Sequence, residues 1–333
     1  MLGSMNDQDI DPAARHARPW RRAALTVLGL GAAAALVVAS LTHDRFGPLR
    51  VPAADGADRR PPRVGFAIVK TATLDVREGM LFAGGDLLAR VQNHFSAFLV
   101  KHGDSTFLFD TGLGRHVREQ YRRDMPLWRR PFFRYDEPVT PARDQLTAAG
   151  VGAIDRIFLS HSHWDHASAI EDFPGASVWV SAAERDVIRH AGSGAGSAWP
   201  SQVASPTIAW QTIAFDAGPY EGFAQSADLF GDGAAVVVPM SGHTAGSIGL
   251  FLRTDSGARF FFVGDVVWSA AALAEGRPRT LLARQAVDHD VAATQHTIDQ
   301  IREAMRRDPA LVVVPAHDGT VQRALGYFPD WVR

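Results

Sequence analysis

His161-Ser162-His163-Trp164-Asp165-His166 packs three imidazoles and a carboxylate into six residues, and its reading decides the fold. It directly follows Arg156–Ser160, a short apolar run that suits a buried strand. On a loop leaving a strand, His161 and His163 can turn toward one cation while Asp165 and His166 turn toward a second. Imidazole and carboxylate suit zinc, with iron or manganese also compatible. The chain has no cysteine, which removes thiolate ligands, disulfides and cysteine nucleophiles together. Any metal is therefore held by nitrogen and oxygen, and 13 histidines provide for that.

Working outward, strand-like runs recur at Thr106–Asp110, Ser177–Ser181, Ala235–Pro239, Ile248–Leu252, Arg259–Val263 and Leu311–Pro315. Helical patterns lie between several of them, at Arg143–Ala149, Ala182–His190 and Val291–Arg307. The last places Ile298, Ile301 and Met305 at helical spacing. Strands mixed with helices in one long stretch predict a layered α/β architecture. The polar residues sit where these runs end. Asp110 closes one, His161–His166 follows the next, His243 follows Ala235–Pro239 by a short turn, Asp265 follows Arg259–Val263, and His317 follows Leu311–Pro315. If those strands lie side by side, five ligand-bearing segments converge on one edge, where a rigid scaffold presents loops.

These segments carry a resemblance. Asp110-Thr111-Gly112, the His161–His166 motif, Gly242-His243-Thr244, Gly264-Asp265 and Ala316-His317-Asp318 resemble, in order, the five motifs of the metallo-β-lactamase superfamily. The resemblance covers residues 64–325 and implies a four-layer αββα sandwich with two metals, expected to be zinc, at one edge. It implies His161, His163 and His243 on one metal, Asp165, His166 and His317 on the other, and Asp265 bridging them. Asp110 looks like the carboxylate that orients a ligand, a support that metal-bound imidazoles commonly need; a turn-forming Asp before Gly112 is the plainer reading. Two cations sharing a water make hydroxide available at neutral pH, so no serine nucleophile is required. Asp165 is the candidate proton shuttle as well as a ligand.

Departures from family patterns narrow the expected substrate. The carboxylate at Asp265 speaks against true β-lactamase activity, which generally lacks that bridge. Flavodiiron relatives carry Glu where His163 stands, and glyoxalase II relatives continue into a helical extension, whereas this chain ends 16 residues after His317. The pattern is similar to acyl-homoserine lactonases and secreted organophosphate hydrolases. Lactonases have Tyr three residues after the bridging Asp; Trp268 stands there and keeps an apolar wall with only an indole N–H to offer. The expected activity is hydrolysis of a small ester or lactone. Phosphotriester or phosphodiester hydrolysis, a mononuclear iron persulfide dioxygenase and a non-catalytic metal-binding module are the alternatives.

The 34 basic and 36 acidic side chains nearly cancel, which gives no electrostatic case for a nucleic-acid partner. Ala23–Leu41 is an uncharged run of 19 residues, long enough as a helix for roughly 28 Å. It reads as a signal anchor after a cytoplasmic segment 1–22, or as a signal peptide cut near Ala39. Residues 42–63 then read as a linker and 64–333 as the catalytic domain, held at a membrane or exported outside the cytoplasm. Residues 115–134 hold seven arginines interleaved with Tyr121, Trp128, Phe132 and Phe133, either a solvated helix with an aromatic-anchored loop or a lid over a substrate or membrane surface. His94 is expected to be structural, His289 and His296 to be surface or supporting groups, and Asp318 to cap a loop.

Overall fold

In the computed structural model, residues 63–333 are described together with residues 25–31 and 34. The described part of the amino-terminal apolar run is helical and exposed, and the remainder lies outside the described residues. No helix among the described residues is long and apolar enough to cross a membrane. The segment 1–22 and most of the linker 42–63 also lie outside the described residues.

Among the described residues, eleven strands form two sheets. The first holds β1 (Val64–Arg77), β2 (Arg90–His102), β3 (Ser105–Thr111), β4 (Arg156–Phe158), β5 (Ser177–Val180) and β6 (Ala209–Thr212), side by side in that order. The second holds β7 (Ala227–Asp228), β8 (Ala235–Pro239), β9 (Ile248–Arg253), β10 (Arg259–Phe262) and β11 (Val312–Val314), neighbours in chain order. All seven runs read from the sequence are strands, with ends that agree to within two residues. β1, β2, β6 and β7 escaped that reading. β1 and β2 pair antiparallel from Val64↔His102 to Arg77↔Arg90, but Lys70, Thr71, Thr73, Gln92 and Asn93 interrupt their apolar pattern.

Period-two alternation sorts the side chains into layers. Phe66, Ile68, Phe98, Val100, Phe107 and Phe109 face inward and meet Val237, Leu250, Leu252, Phe260 and Phe262 of the second sheet. The residues between them face outward: Ala67, Val69, Leu99 and Leu108 pack against Ala142, Leu146 and Ile188, which lie on helices Ala142–Ala148 and Ala182–Arg189. On the far side, Val236, Val238, Phe251 and Phe261 cover Ile298, Ile301 and Ala304 of helix Val291–Arg307. That helix is capped by Asp290, whose carboxylate accepts the N–H groups of Ala292 and Ala293. Helix, sheet, sheet, helix is the αββα order. Burial on both faces explains why the inner strands read as near-continuous apolar runs.

Candidate metal centre

The carboxyl end of β3 and the loops after β4, β8, β10 and β11 meet at one edge of the sandwich, and each brings its polar residues to the same place. His161, His163 and His243 form one cluster; Asp165, His166, Asp265 and His317 form another, with candidate ligand atoms within 4.8 Å of one another in each. In the first, Nε2 of His243 stands 3.2 Å from Nε2 of His161 and 3.0 Å from Nδ1 of His163. In the second, Nε2 of His317 lies 3.1 Å from both Asp165 and Asp265. Asp265 reaches both: Oδ1 is 3.4 Å from Nε2 of His166, and Oδ2 is 3.8 Å from Nε2 of His243. All these side chains are buried except Asp165, which is partly so.

A second set of groups holds the imidazoles by their other nitrogens. Asp110 accepts hydrogen bonds from the Ser160 N–H and hydroxyl and stands 2.9 Å from Nδ1 of His166. Asp110 adopts φ 58°, a left-handed conformation uncommon outside glycine, and these bonds hold it there. Nδ1 of His317 points at the main-chain carbonyl of His94, 2.8 Å away, and Nδ1 of His243 at Asp288, 3.0 Å away. Gly264 leads into Asp265 at φ +51°, where an added Cβ would meet the Ser160 hydroxyl at 2.8 Å.

The residues fit metal. His243 turns Nδ1 to a carboxylate, so its Nε2 is a lone pair aimed at two other imidazole nitrogens. One proton satisfies at most one of those contacts, whereas a cation satisfies all three nitrogens. Nε2 of His166 and Oδ1 of Asp265 are buried without a directed hydrogen bond, a costly state that a coordinated cation relieves. Electrostatics separate the clusters. Burial and the neighbouring imidazoles hold His161 and His163 well below the usual histidine range. Burial also opposes charge on His166 and His317, but Asp110, Asp165 and Asp265 outweigh it and hold His166 well above that range and His317 at about 10. Those protons stand where positive charge is needed.

Three buried charged residues were missed in the sequence. Glu184, on helix Ala182–Arg189, accepts from the N–H and hydroxyl of Ser162 and from the Thr244 hydroxyl, tying two ligand loops together. Arg279 donates to the Asp265 carbonyl and to Asp288, and its guanidinium lies 4.8 Å over the Trp268 ring. Asp288 thus links Arg279 to His243. Asp288 precedes His289, the neighbour singled out from the sequence, which is exposed, as is His296. His94 is buried between Gln92 and Tyr327. Asp318 caps helix Gly319–Leu325 and accepts from the N–H of Ala270. Trp268 does line the pocket, but its indole N–H is engaged by Asp265 Oδ2 at 3.1 Å.

Above the clusters opens a cavity of about 640 Å³, with His163, Asp165, His243, Asp265 and His317 on its floor. The 115–134 segment divides. Its helix, Val117–Asp124, presents Tyr121 to Trp164 and Trp199, while Trp128, Phe132 and Phe133 border the cavity beyond.

The family model described as the metallo-β-lactamase superfamily matches residues 94–317, which include six of the seven candidate ligand positions between their end points and His317 at the last. The chain belongs to the metallo-β-lactamase superfamily. With its family and the metallo-hydrolases it is similar to taken together, it is a hydrolase. A probable metallo-hydrolase of Mycobacterium tuberculosis is 31% identical to it over 239 residues, covering 66% of this chain and 73% of the relative. An N-acyl homoserine lactonase of Agrobacterium fabrum is 26% identical over 239 residues, 67% of this chain and 79% of its own. Among solved structures, an N-acyl homoserine lactone hydrolase superposes with a TM-score of 0.62 at 13% identity, covering 82% of this chain and all of that one. The hydrolase AbOPH superposes with a TM-score of 0.54 at 17% identity, over 85% of this chain and 93% of its own. These two show the fold.

Proposed function

We propose that this superfamily member hydrolyses a small ester or lactone, such as an acyl-homoserine lactone, at a dinuclear zinc centre held by the two clusters. The observation that carries the reading is Asp265, whose two oxygens face different clusters beneath a largely apolar cavity. Two bound cations would acidify water and polarise the scissile carbonyl. The chain's own residues do the rest. Asp165, the least buried of the ligand set, is placed to hold and pass a proton at the cavity floor. Asp110, Asp288 and the His94 carbonyl orient His166, His243 and His317. Trp268 and Phe133 line the cavity with apolar surface, and the exposed Trp128 and Phe132 stand at its border.

A phosphoester substrate is the second reading, supported by Arg77, Arg90, Arg129 and Arg134 on the cavity wall. Arg279, the guanidinium beside the clusters, is already engaged by Asp265 and Asp288, which favours a neutral carbonyl substrate. A mononuclear iron site has no use for His166 and His317, yet both stand with two carboxylates in the second cluster. The amino-terminal run as anchor or export signal remains a proposal from sequence, with the catalytic part outside the cytoplasm.

The test is proton release by the zinc-loaded chain with acyl lactones, aryl esters and a phosphotriester, alongside zinc content. Lactone or ester turnover with two zinc ions per chain supports the reading. Turnover of the phosphotriester alone moves it to phosphoryl chemistry, and silence on all three with zinc bound overturns it.

A further inference from the structure

Among residues 63–333, the large hydrophobic side chains left exposed fall in only three short segments, 80–88, 127–132 and 281–282. Leu88 is 81% exposed, Leu127 75%, Trp128 69% and Phe132 68%. Scattered single exposures are ordinary on a soluble protein, but grouped ones mark a contact surface. Here the grouping has one centre. Met80, Trp128, Phe132 and Leu282 come from all three segments and border the same cavity, so its mouth is ringed by apolar side chains.

The ring is also cationic. Arg77, Arg90, Arg129 and Arg134 line it, and Arg77 and Arg90 stand opposite each other across β1 and β2, a like-charge pairing that is unfavourable without an anion. Apart from the carboxylates of the second cluster, Asp75 is the acid on this wall and Gln92 donates to it, while Arg134 lies 3.7 Å from Asp136, so Arg77, Arg90 and Arg129 carry most of the excess charge. Residues 115–134 set seven arginines against Glu119 and Asp124, in a chain whose total charge is −2. The Arg129 guanidinium lies 4.7 Å from the centre of the Trp128 ring, so the exposed indole itself carries a cation.

We propose that this mouth docks on an anionic lipid surface, with Leu127, Trp128 and Phe132 entering the boundary between headgroups and acyl chains. Tryptophan suits that boundary because its ring is apolar and its N–H polar. Arginine suits it because its stem lies along apolar surface while the guanidinium meets phosphate. Each cationic side chain near such a surface adds to the attraction, which falls with salt. Docking needs no turnover. Its consequence, passage of an acyl-bearing substrate from lipid to the cavity floor, rests on the ester or lactone reading.

The absence of cysteine makes the experiment direct. Leu127→Cys in the full chain carries one bimane label at the mouth. Asp104→Cys carries one on the β2–β3 turn, roughly 40 Å away along β2 from Arg90. Both are mixed with vesicles of phosphatidylcholine, alone or with phosphatidylglycerol, some holding a nitroxide lipid. The expected result is a blue shift and quenching at residue 127, not at 104, on the anionic vesicles. That shift weakens about tenfold in Trp128→Asp/Phe132→Asp carrying the same label, and weakens in high salt. Vesicle binding with no change at residue 127 overturns the proposal, because the chain then attaches elsewhere. Equal shifts on neutral and anionic vesicles overturn the role of the arginines. A shift without lipid that grows with protein concentration assigns the surface to a second copy of the chain instead.

Discussion

The two ligand clusters share an edge of the sandwich and share Asp265, yet their proton chemistry is opposite. The trio His161, His163 and His243 contains no carboxylate, so burial dominates and His161 and His163 stay neutral. The second cluster pairs His166 and His317 with Asp165 and Asp265, and the carboxylates overcome the same burial. Equal burial with unequal neighbours shows that local charge, not depth, decides protonation here. One cluster without metal lacks a positive charge that the other borrows from protons.

The most severe break is Asp265→Ala, which removes the one side chain common to both clusters. Activity should fall roughly a thousandfold or more, with loss of metal, measured by turnover beside zinc content. Unchanged zinc content would show that the clusters do not depend on a shared ligand.

Asp110→Asn sharpens the comparison by removing charge while keeping shape. Zinc affinity by chelator competition should drop roughly 10–100-fold, the usual cost of losing a group that orients a ligand. No change in affinity would assign Asp110 to backbone geometry alone.

Acidity separates the clusters in the metal-free chain. His166 and His317 titrate above the ordinary histidine value of 6.5. Their stabilisation is full below that value and is lost as pH rises through their own, about 10 for His317. His161 and His163 titrate below it, so the unfolded chain takes protons first and stability falls as pH drops under about 6.5. Melting temperatures should therefore be highest near neutrality and decline on both sides. A flat profile from about pH 5 to 10 would remove the contrast.

The smallest effect belongs to Trp268→Phe, which keeps the apolar wall and deletes the hydrogen bond to Asp265 Oδ2. A loss of about 0.5–1.5 kcal/mol, about two- to thirteenfold in kcat/KM, is expected from steady-state kinetics.

Legibility followed the range of the interactions. The seven candidate ligand positions lie in short motifs just after apolar runs, and in a chain without cysteine imidazole and carboxylate are the leading donors to a divalent metal. The residues that escaped do so for one reason. Glu184 sits in a helix that reads as ordinary amphipathic sequence, and nothing local says that Ser162, 22 positions away, will bury against it. Arg279 and Asp288 look like surface charges until they meet at His243 from the two ends of helix Leu281–Val287.

The amino-acid sequence alone determined the family and the α/β class and named seven candidate ligands, because these depend on which atoms a strand end can offer within a few residues. Tertiary structure decided which oxygen of Asp265 faces which cluster, which carboxylates support which imidazoles, and where exposed Leu127, Trp128 and Phe132 gather. Those outcomes depend on burial and on neighbours distant in the chain, and solvent exclusion is a property of the packed layers rather than of any stretch of sequence.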